Sequence, residues 1–132
     1  MSRTMRMSQA AMAYRNAALA LPPRAAVVML YDGAILRIER AVQALQAGRL
    51  DESFNHVTHA AAILRGLSHV LDFARGGALA DQLFAMYSNN ILALLRSVGK
   101  PDAAARYRRI ADGLGELRDA WAEVARLPAR KG

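Results

Sequence analysis

The chain has 132 residues, with 18 Lys or Arg against 11 Asp or Glu, which gives a formal net charge of +7. Hydrophobic residues make up 54% of it, which excludes a disordered chain and allows one domain with its own core. The chain contains no cysteine, and this excludes a disulfide framework, a zinc finger and a thiol nucleophile. Because Ala, Leu and Arg dominate and there are only four prolines, the composition predicts an all-α protein.

Residues 1–21 form an apolar and basic arm with three arginines and no acid. Tyr14-Arg15-Asn16 interrupts its apolar run, so the arm fits neither a cleaved signal peptide nor a membrane span. We expect a short amphipathic arm that covers the protein's own groove or helps to hold a partner. Its apolar contact residues are Met12, Tyr14 and Leu19.

The first long helix is predicted to begin after Pro22-Pro23 and to end at Gly48. Its interior carries Asp32 and Gly33, and a glycine in mid-helix costs about 1 kcal/mol relative to alanine. At 3.6 residues per turn, Gly33 forms a notch beside Met29, whose side chain adapts to varied apolar partners. Two explanations remain open: tight packing of a neighbouring helix of the same domain, or close approach of a partner.

Three further helices follow with apolar residues at spacings of three and four. The second is predicted to start at Asp51 as its N-cap and to end at Gly76-Gly77. The third ends at Gly99-Lys100-Pro101, and the fourth runs from an Asp102 cap to Leu127-Pro128. Short connections force neighbouring helices to run antiparallel. The sequence therefore predicts an up-down-up-down four-helix bundle over residues 22–127, with a tail at 128–132.

Motifs of catalysis are absent from the sequence. There is no phosphate-binding glycine loop, no HExxH and no Glu-x-x-His pair of the kind that holds di-iron in a bundle. Glu52, His56 and His59 share one helical face, but this spacing is better explained by ordinary surface histidines than by a metal site. We therefore expect no enzyme activity, no metal and no cofactor.

The basic charge allows nucleic acid, acidic protein or anionic lipid as a partner. It is spread along the chain, with one cluster at Arg106, Arg108 and Arg109, and no basic face alternates with aromatic residues. A solvated surface explains this pattern better than a nucleic-acid site. A basic helical nucleic-acid-binding or regulatory protein remains the alternative, and it predicts affinity that falls steeply with salt.

Four segments, taken in order, resemble the flagellin-specific type of flagellar secretion chaperone. They are "AY" at Ala13-Tyr14, "MLYDGA" at Met29–Ala34, "LDFARGGALADQL" at Leu71–Leu83, and "LRDAWAEV" at Leu117–Val124. The resemblance covers nearly the whole chain. It implies a four-helix bundle that acts in the bacterial cytosol.

The resemblance implies that the protein binds the disordered C-terminal segment of flagellin, prevents its premature polymerisation and assists its delivery to the type III export apparatus. An export gate protein and a co-chaperone would be further partners, and the protein would be a monomer or weak homodimer without nucleic-acid binding or membrane insertion. Tyr14 is the strongest contact residue by this match, and Tyr14→Ala should weaken flagellin binding without changing the melting temperature. The other expected partner-binding residues are Met12, Leu19, Met29, Gly33, Tyr87, Asn90 and Leu94.

Overall fold

A computed structural model describes residues 23–125, which form four helices and no strand. The helices are α1 (Pro23–Gln46), α2 (Leu50–His69), α3 (Phe73–Arg96) and α4 (Ala103–Ala125). Helix α1 packs along α2 and α4, whereas α3 packs mainly on α2 and only lightly on α4. The prediction of an all-α helical bundle is thereby confirmed, with α3 as its least enclosed member.

Helix α1 ends as the sequence predicts, at a left-handed glycine. Gly48 has φ +76°, a conformation that glycine adopts without a Cβ clash. Its N–H donates to the Leu45 carbonyl at 3.1 Å, and the Arg49 N–H donates to the Ala44 carbonyl at 2.8 Å. This is the Schellman arrangement, which satisfies carbonyls that the end of the helix leaves without partners.

The start of α2 differs from the prediction. The helix begins at Leu50, and Arg49 occupies the N-cap position without a side-chain capping bond. Asp51 therefore lies in the first turn with Glu52, and Arg49 pairs with Glu52 at 2.9 Å. Both carboxylates lie near the positive end of the helix dipole, so they stabilise this end by charge rather than by capping.

The end of α2 also differs, because the helix stops at His69 and not at Gly76-Gly77. Asp72 caps the next helix, and its carboxylate accepts from the Arg75 N–H at 3.2 Å. The predicted boundary was wrong because an aspartate at this position favours a new helix start over continuation. The glycine pair lies inside the first turns of α3, where Gly77 has φ +51° and ψ −126°.

Gly76 is needed at the start of α3 for steric reasons. A Cβ placed on it would lie 2.8 Å from the Ala80 Cβ, which is closer than real side chains approach. The non-helical backbone at Gly77 bends α3 near its beginning. The glycine pair therefore shapes the beginning of α3, and α3 borders the site described below.

An ion pair explains the aspartate in the interior of α1. Asp32 accepts from Arg118 Nε at 2.7 Å and from its Nη2 at 3.3 Å, so one guanidinium edge meets both carboxylate oxygens. Arg118 is nearly buried and Asp32 is half-exposed, and the hydrogen bond to Asp32 raises the pKa of Arg118. This pair joins α1 to α4 with a fixed geometry.

Large apolar side chains from all four helices fill the centre of the bundle. Full burial of each contributes about 1.5–3 kcal/mol relative to exposure. The polar atoms inside this region have partners; for example, Ser53 Oγ donates to the Ala41 carbonyl at 2.8 Å. The largest fully buried apolar side chains are Tyr31, Tyr87, Ile38, Leu64, Leu67, Leu94, Leu114, Val28 and Val57.

Candidate functional site

An open groove of about 420 Å³ lies at one end of the bundle. The start of α1, the end of α2, the start of α3 and the end of α4 meet there. We call it the end groove. Its apolar lining includes Val27, Leu71, Leu79, Leu83 and Trp121.

The end groove exposes large aliphatic side chains to solvent. Val70 is 60% exposed and Leu79 is 57% exposed, although both belong to apolar stretches. Contiguous apolar surface bordered by polar residues marks a place where a soluble protein binds another molecule. The groove is therefore the strongest candidate site in the described part of the chain.

Tyr87 lines the end groove, and its hydroxyl is hydrogen-bonded to that of the fully buried Tyr31. The Tyr31 and Tyr87 hydroxyl oxygens lie 2.5 Å apart, and the ring centroids are 6.1 Å apart at a tilt of 55°. Burial raises the pKa of both tyrosines. Because the Tyr87 hydroxyl already has a hydrogen-bond partner in the core, it does not need one from an occupant of the groove.

A second apolar surface lies on the other side of α3. Phe73 and Phe84 meet edge to face with centroids 6.0 Å apart. Next to Phe84, Arg65 and His69 of α2 border a depression of about 430 Å³. We call this surface the outer α3 face. Its large exposed side chains are Phe73, Phe84, Leu92 and Leu95.

Of the predicted contact residues on α3, Tyr87 lines the end groove. Asn90 is half-buried and its side-chain N–H donates to Met86 Sδ at 3.0 Å. Leu94 is completely buried, so it supports α3 from inside rather than offering surface to a partner. Helix α3 thus brings one of its three predicted residues into the groove.

The predicted contact residues on α1 lie outside the end groove. Met29 is 61% exposed, and Gly33 faces α2, where a Cβ would lie 3.5 Å from Ile63 Cδ1. That distance is an ordinary van der Waals contact, so space alone does not require a glycine at this position. The three arm residues lie outside the described residues: Met12, Tyr14 and Leu19.

Several groove residues were not selected as contact residues from the sequence. Leu79, Leu83 and Trp121 fall on regular apolar stripes, and such a stripe looks the same whether its neighbour is the core or an open groove. The signal that distinguishes them is the Asp72 cap followed by the glycine pair. This combination indicates that α3 starts close to the apolar end of α2, where the groove lies.

The histidine face of α2 forms a polar network. His56 lies between Arg37, at 3.3 Å from its Nδ1, and Glu52, at 3.9 Å from its Nε2. His59 is exposed, and it is outside this network. Within residues 23–125, no three ligand-type side chains converge on a possible metal position.

The excess positive charge is not on the bundle itself. Six of the 18 basic residues, and none of the 11 acidic ones, lie outside residues 23–125. The described helices and loops therefore carry 12 basic against 11 acidic residues, a net charge of +1. None of these four helices is long and apolar enough to cross a lipid bilayer.

Comparison with known families agrees with this architecture. The family model described as flagellar protein FliS matches residues 6–128 of the chain. The match includes the whole described bundle and all residues that line the end groove. Among curated proteins, none matches the chain significantly.

Proposed function

We propose that this chain, which belongs to the FliS family of flagellar proteins, binds the disordered C-terminal segment of flagellin. Membership of the family supports a flagellar chaperone role. The identity of the client and its place on the bundle are our proposal. The observation that carries it is the end groove, with Tyr87 in its lining and its exposed aliphatic walls.

The end groove suits an amphipathic segment that becomes ordered as it binds. Such a segment places apolar side chains into a groove at helical spacing and leaves its polar face in solvent. Leu79 and Val70 would then lose contact with water, while the closed Tyr31–Tyr87 hydrogen bond requires no partner. Ordering the segment lowers the net affinity but still allows it to cover a large surface.

The outer α3 face extends the surface available to a long client. Beyond the bend at Gly77, helix α3 continues over the 19 residues 78–96, so this part is about 28 Å long at 1.5 Å per residue. A client that enters the end groove and continues around α3 would also cover Phe84 and Leu92, which are exposed now. We therefore assign both sides of α3 to the flagellin interface.

The arm and α1 residues belong to the same proposal. Tyr14, Met12 and Leu19 would contact the client or cover the groove, and Met29 and Gly33 would add to the contact from α1. By holding the client's terminal segment, the chaperone would prevent premature polymerisation in the cytosol. It would then deliver flagellin to the type III export apparatus, where an export gate protein and a co-chaperone would be further partners.

Calorimetric titration with the C-terminal ~50 residues of the same organism's flagellin tests the proposal, a length that suits coupled folding over a large surface. We expect one-to-one binding with a negative heat-capacity change that persists at high salt. Leu79→Gln should weaken binding about 10-fold or more, because one exposed leucine loses its burial in the complex. Leu36→Gln is the matched control, because Leu36 is an exposed leucine of α1 that does not line the groove.

Two results would contradict the proposal. Absence of binding by the unmodified chain would show that flagellin's C-terminal segment is not the client. Equal weakening by Leu79→Gln and Leu36→Gln would show that binding does not take place in the end groove. Circular dichroism melts of both variants check that each remains folded.

A further inference from the structure

The two ends of the chain carry almost all of its excess positive charge. Residues 1–22 contain Arg3, Arg6 and Arg15, and residues 126–132 contain Arg126, Arg130 and Lys131. Neither segment contains an acidic residue. Six of the seven net charges are therefore separated in sequence from a bundle that is nearly neutral.

Both charged segments join the bundle at the end groove. Residue 22 precedes Pro23 at the start of α1, and the next residue, Arg24, lines the groove. Helix α4 ends at Ala125, one turn or about 6 Å beyond the groove residue Trp121. The antiparallel order of the helices thus places the two points at which these segments are attached at the same end as the apolar opening.

The rim of the end groove has the same sign of charge. Arg24 and Arg75 border it, and Asp72, paired with Arg75 at 3.6 Å, is its acidic member. Within residues 23–125, Arg24 has no carboxylate at ion-pair distance. An apolar floor with an uncompensated cation at its edge complements a ligand that is apolar in the middle and acidic at its ends.

We propose that the occupant of the end groove is an amphipathic segment flanked by carboxylates, and that the basic terminal segments and Arg24 attract it by charge. This inference rests on the proposed function, because it assigns that chemistry to the flagellin segment. The apolar lining determines how long the client stays bound, whereas the basic segments raise the rate at which it arrives. Steering of this kind is strong at low salt and is screened when the Debye length falls to a few ångströms.

The test measures association and dissociation rates by stopped-flow fluorescence with the labelled C-terminal segment of the organism's flagellin. In the terminal variant of the full chain, the six charges Arg3, Arg6, Arg15, Arg126, Arg130 and Lys131 are changed to Gln. In the matched variant, six basic residues away from the groove are changed to Gln: Arg40, Arg49, Arg96, Lys100, Arg108 and Arg109. Both variants lose the same net charge, so their difference reports the position of the charge.

At low salt, we expect the terminal variant to associate about 10-fold or more slowly than the unmodified chain, with its dissociation rate within about twofold. The matched variant should keep most of the association rate. At about 0.5 M salt, all three proteins should associate at similar rates, because charges outside the contact are then screened. A flagellin segment with its Asp and Glu changed to Asn and Gln should bind the unmodified chain at the slow rate.

Three results would overturn the inference. If association of both variants is slowed equally, the net charge and not its location is the cause. If all three proteins associate at equal rates at low salt, steering by charge is excluded, while flagellin binding itself stands. Failure of the unmodified chain to bind would instead reject the proposed function itself. A parallel experiment measures binding to vesicles of phosphatidylglycerol and phosphatidylcholine in equal parts. If the terminal variant no longer binds these vesicles but keeps its flagellin rates, the basic segments bind a lipid surface and not the client.

Discussion

Helices α1 and α3 have the same length but different surroundings. Each has 24 residues, yet α1 buries nine apolar side chains and α3 buries four. Helix α3 also exposes five large hydrophobic side chains, against two for α1. Helix α1 is covered by α2 and α4 along its length, whereas α3 packs mainly on α2.

This difference means that one side of the small domain stabilises the fold and the other side offers a binding surface. The α1, α2 and α4 side holds most of the buried volume and the Asp32–Arg118 ion pair, so it provides a stable frame. The α3 side keeps apolar area in contact with water, which costs stability and is retained where a partner covers it. The Tyr31–Tyr87 hydrogen bond joins the two sides.

Two leucines that differ in burial give the largest expected contrast. Leu64 of α2 is completely buried, and Leu79 of α3 is 57% exposed. Leu64→Ala should lower the free energy of unfolding by about 2–5 kcal/mol, because it leaves a cavity. Leu79→Ala should lower it by less than about 1 kcal/mol. Urea unfolding measures both, and equal losses would show that the two sides are packed equally well.

Substitutions in the Asp32–Arg118 ion pair test how much the contact between α1 and α4 contributes to stability. Asp32→Asn should lower the free energy of unfolding by about 1–3 kcal/mol, because the nearly buried guanidinium loses one charged acceptor and keeps Asp119 at 3.4 Å as the other. Arg118→Met in the same chain should recover part of that loss. A double-mutant cycle by urea unfolding measures the coupling between the two residues. A coupling energy near zero would show that this ion pair does not stabilise the contact between α1 and α4.

High pH should weaken the core through its buried tyrosines. Burial raises the pKa of Tyr31, Tyr87 and Tyr107, so each keeps its proton in the folded protein at a pH where the unfolded chain has lost it. This contribution to stability is therefore complete below about pH 10 and is lost as the pH rises further, with Tyr31 alone contributing about 1 kcal/mol of the loss between pH 10 and 11. Urea unfolding across this range measures the slope. Tyr31→Phe with Tyr87→Phe should make it shallower, and an unchanged slope would contradict the assignment.

Substitutions in the Tyr31–Tyr87 hydrogen bond test the contact between α1 and α3. Tyr31→Phe alone should lower the free energy of unfolding by about 1 kcal/mol, because it leaves the buried Tyr87 hydroxyl without that partner. Adding Tyr87→Phe should cost little more, since the two rings keep their shape and no hydroxyl remains unpaired. Thermal and urea unfolding at pH 7 measure this. Additive losses would show that each hydroxyl has an independent role.

Gly33 gives the smallest expected effect on stability. Gly33→Ala should change the free energy of unfolding by less than about 1 kcal/mol, in the stabilising direction, since alanine favours the helix and its Cβ meets Ile63 Cδ1 at 3.5 Å. If the notch also receives flagellin, the same variant should bind it more weakly in calorimetry. A loss of stability above 1 kcal/mol would instead make close α1–α2 packing the reason for the glycine.

The sequence predicted the helices better than their boundaries. Regular apolar spacing predicted four helices, and Gly48 was identified correctly as the end of α1 because a left-handed residue there is a local requirement. The α2–α3 boundary was missed because the Asp72 cap and the glycine pair are both helix-boundary signals, and the glycines were taken as the helix end. Asp51 was misplaced for a similar reason, since an acid can act in the first turn as well as at the cap.

The candidate site could be predicted only in part. Tyr87 was selected and lines the end groove, whereas Leu79 and Trp121 also line it and were not selected. The role of Asp32 could not be predicted from its neighbours, because its partner Arg118 lies 86 positions away in the chain. Contacts of this kind depend on how helices are arranged, which local patterns do not encode.

The sequence by itself determined the helical class, the four helices of residues 23–125 and the resemblance to flagellin-specific chaperones, because periodicity, glycine positions and motif spacing are local properties. Only the tertiary structure decided which apolar residues are covered. Leu64 and Leu79 occupy equivalent positions on apolar stripes, and the first is buried while the second borders an open groove. The physical reason is that burial depends on the neighbouring helix, and α3 leaves the end of the bundle open.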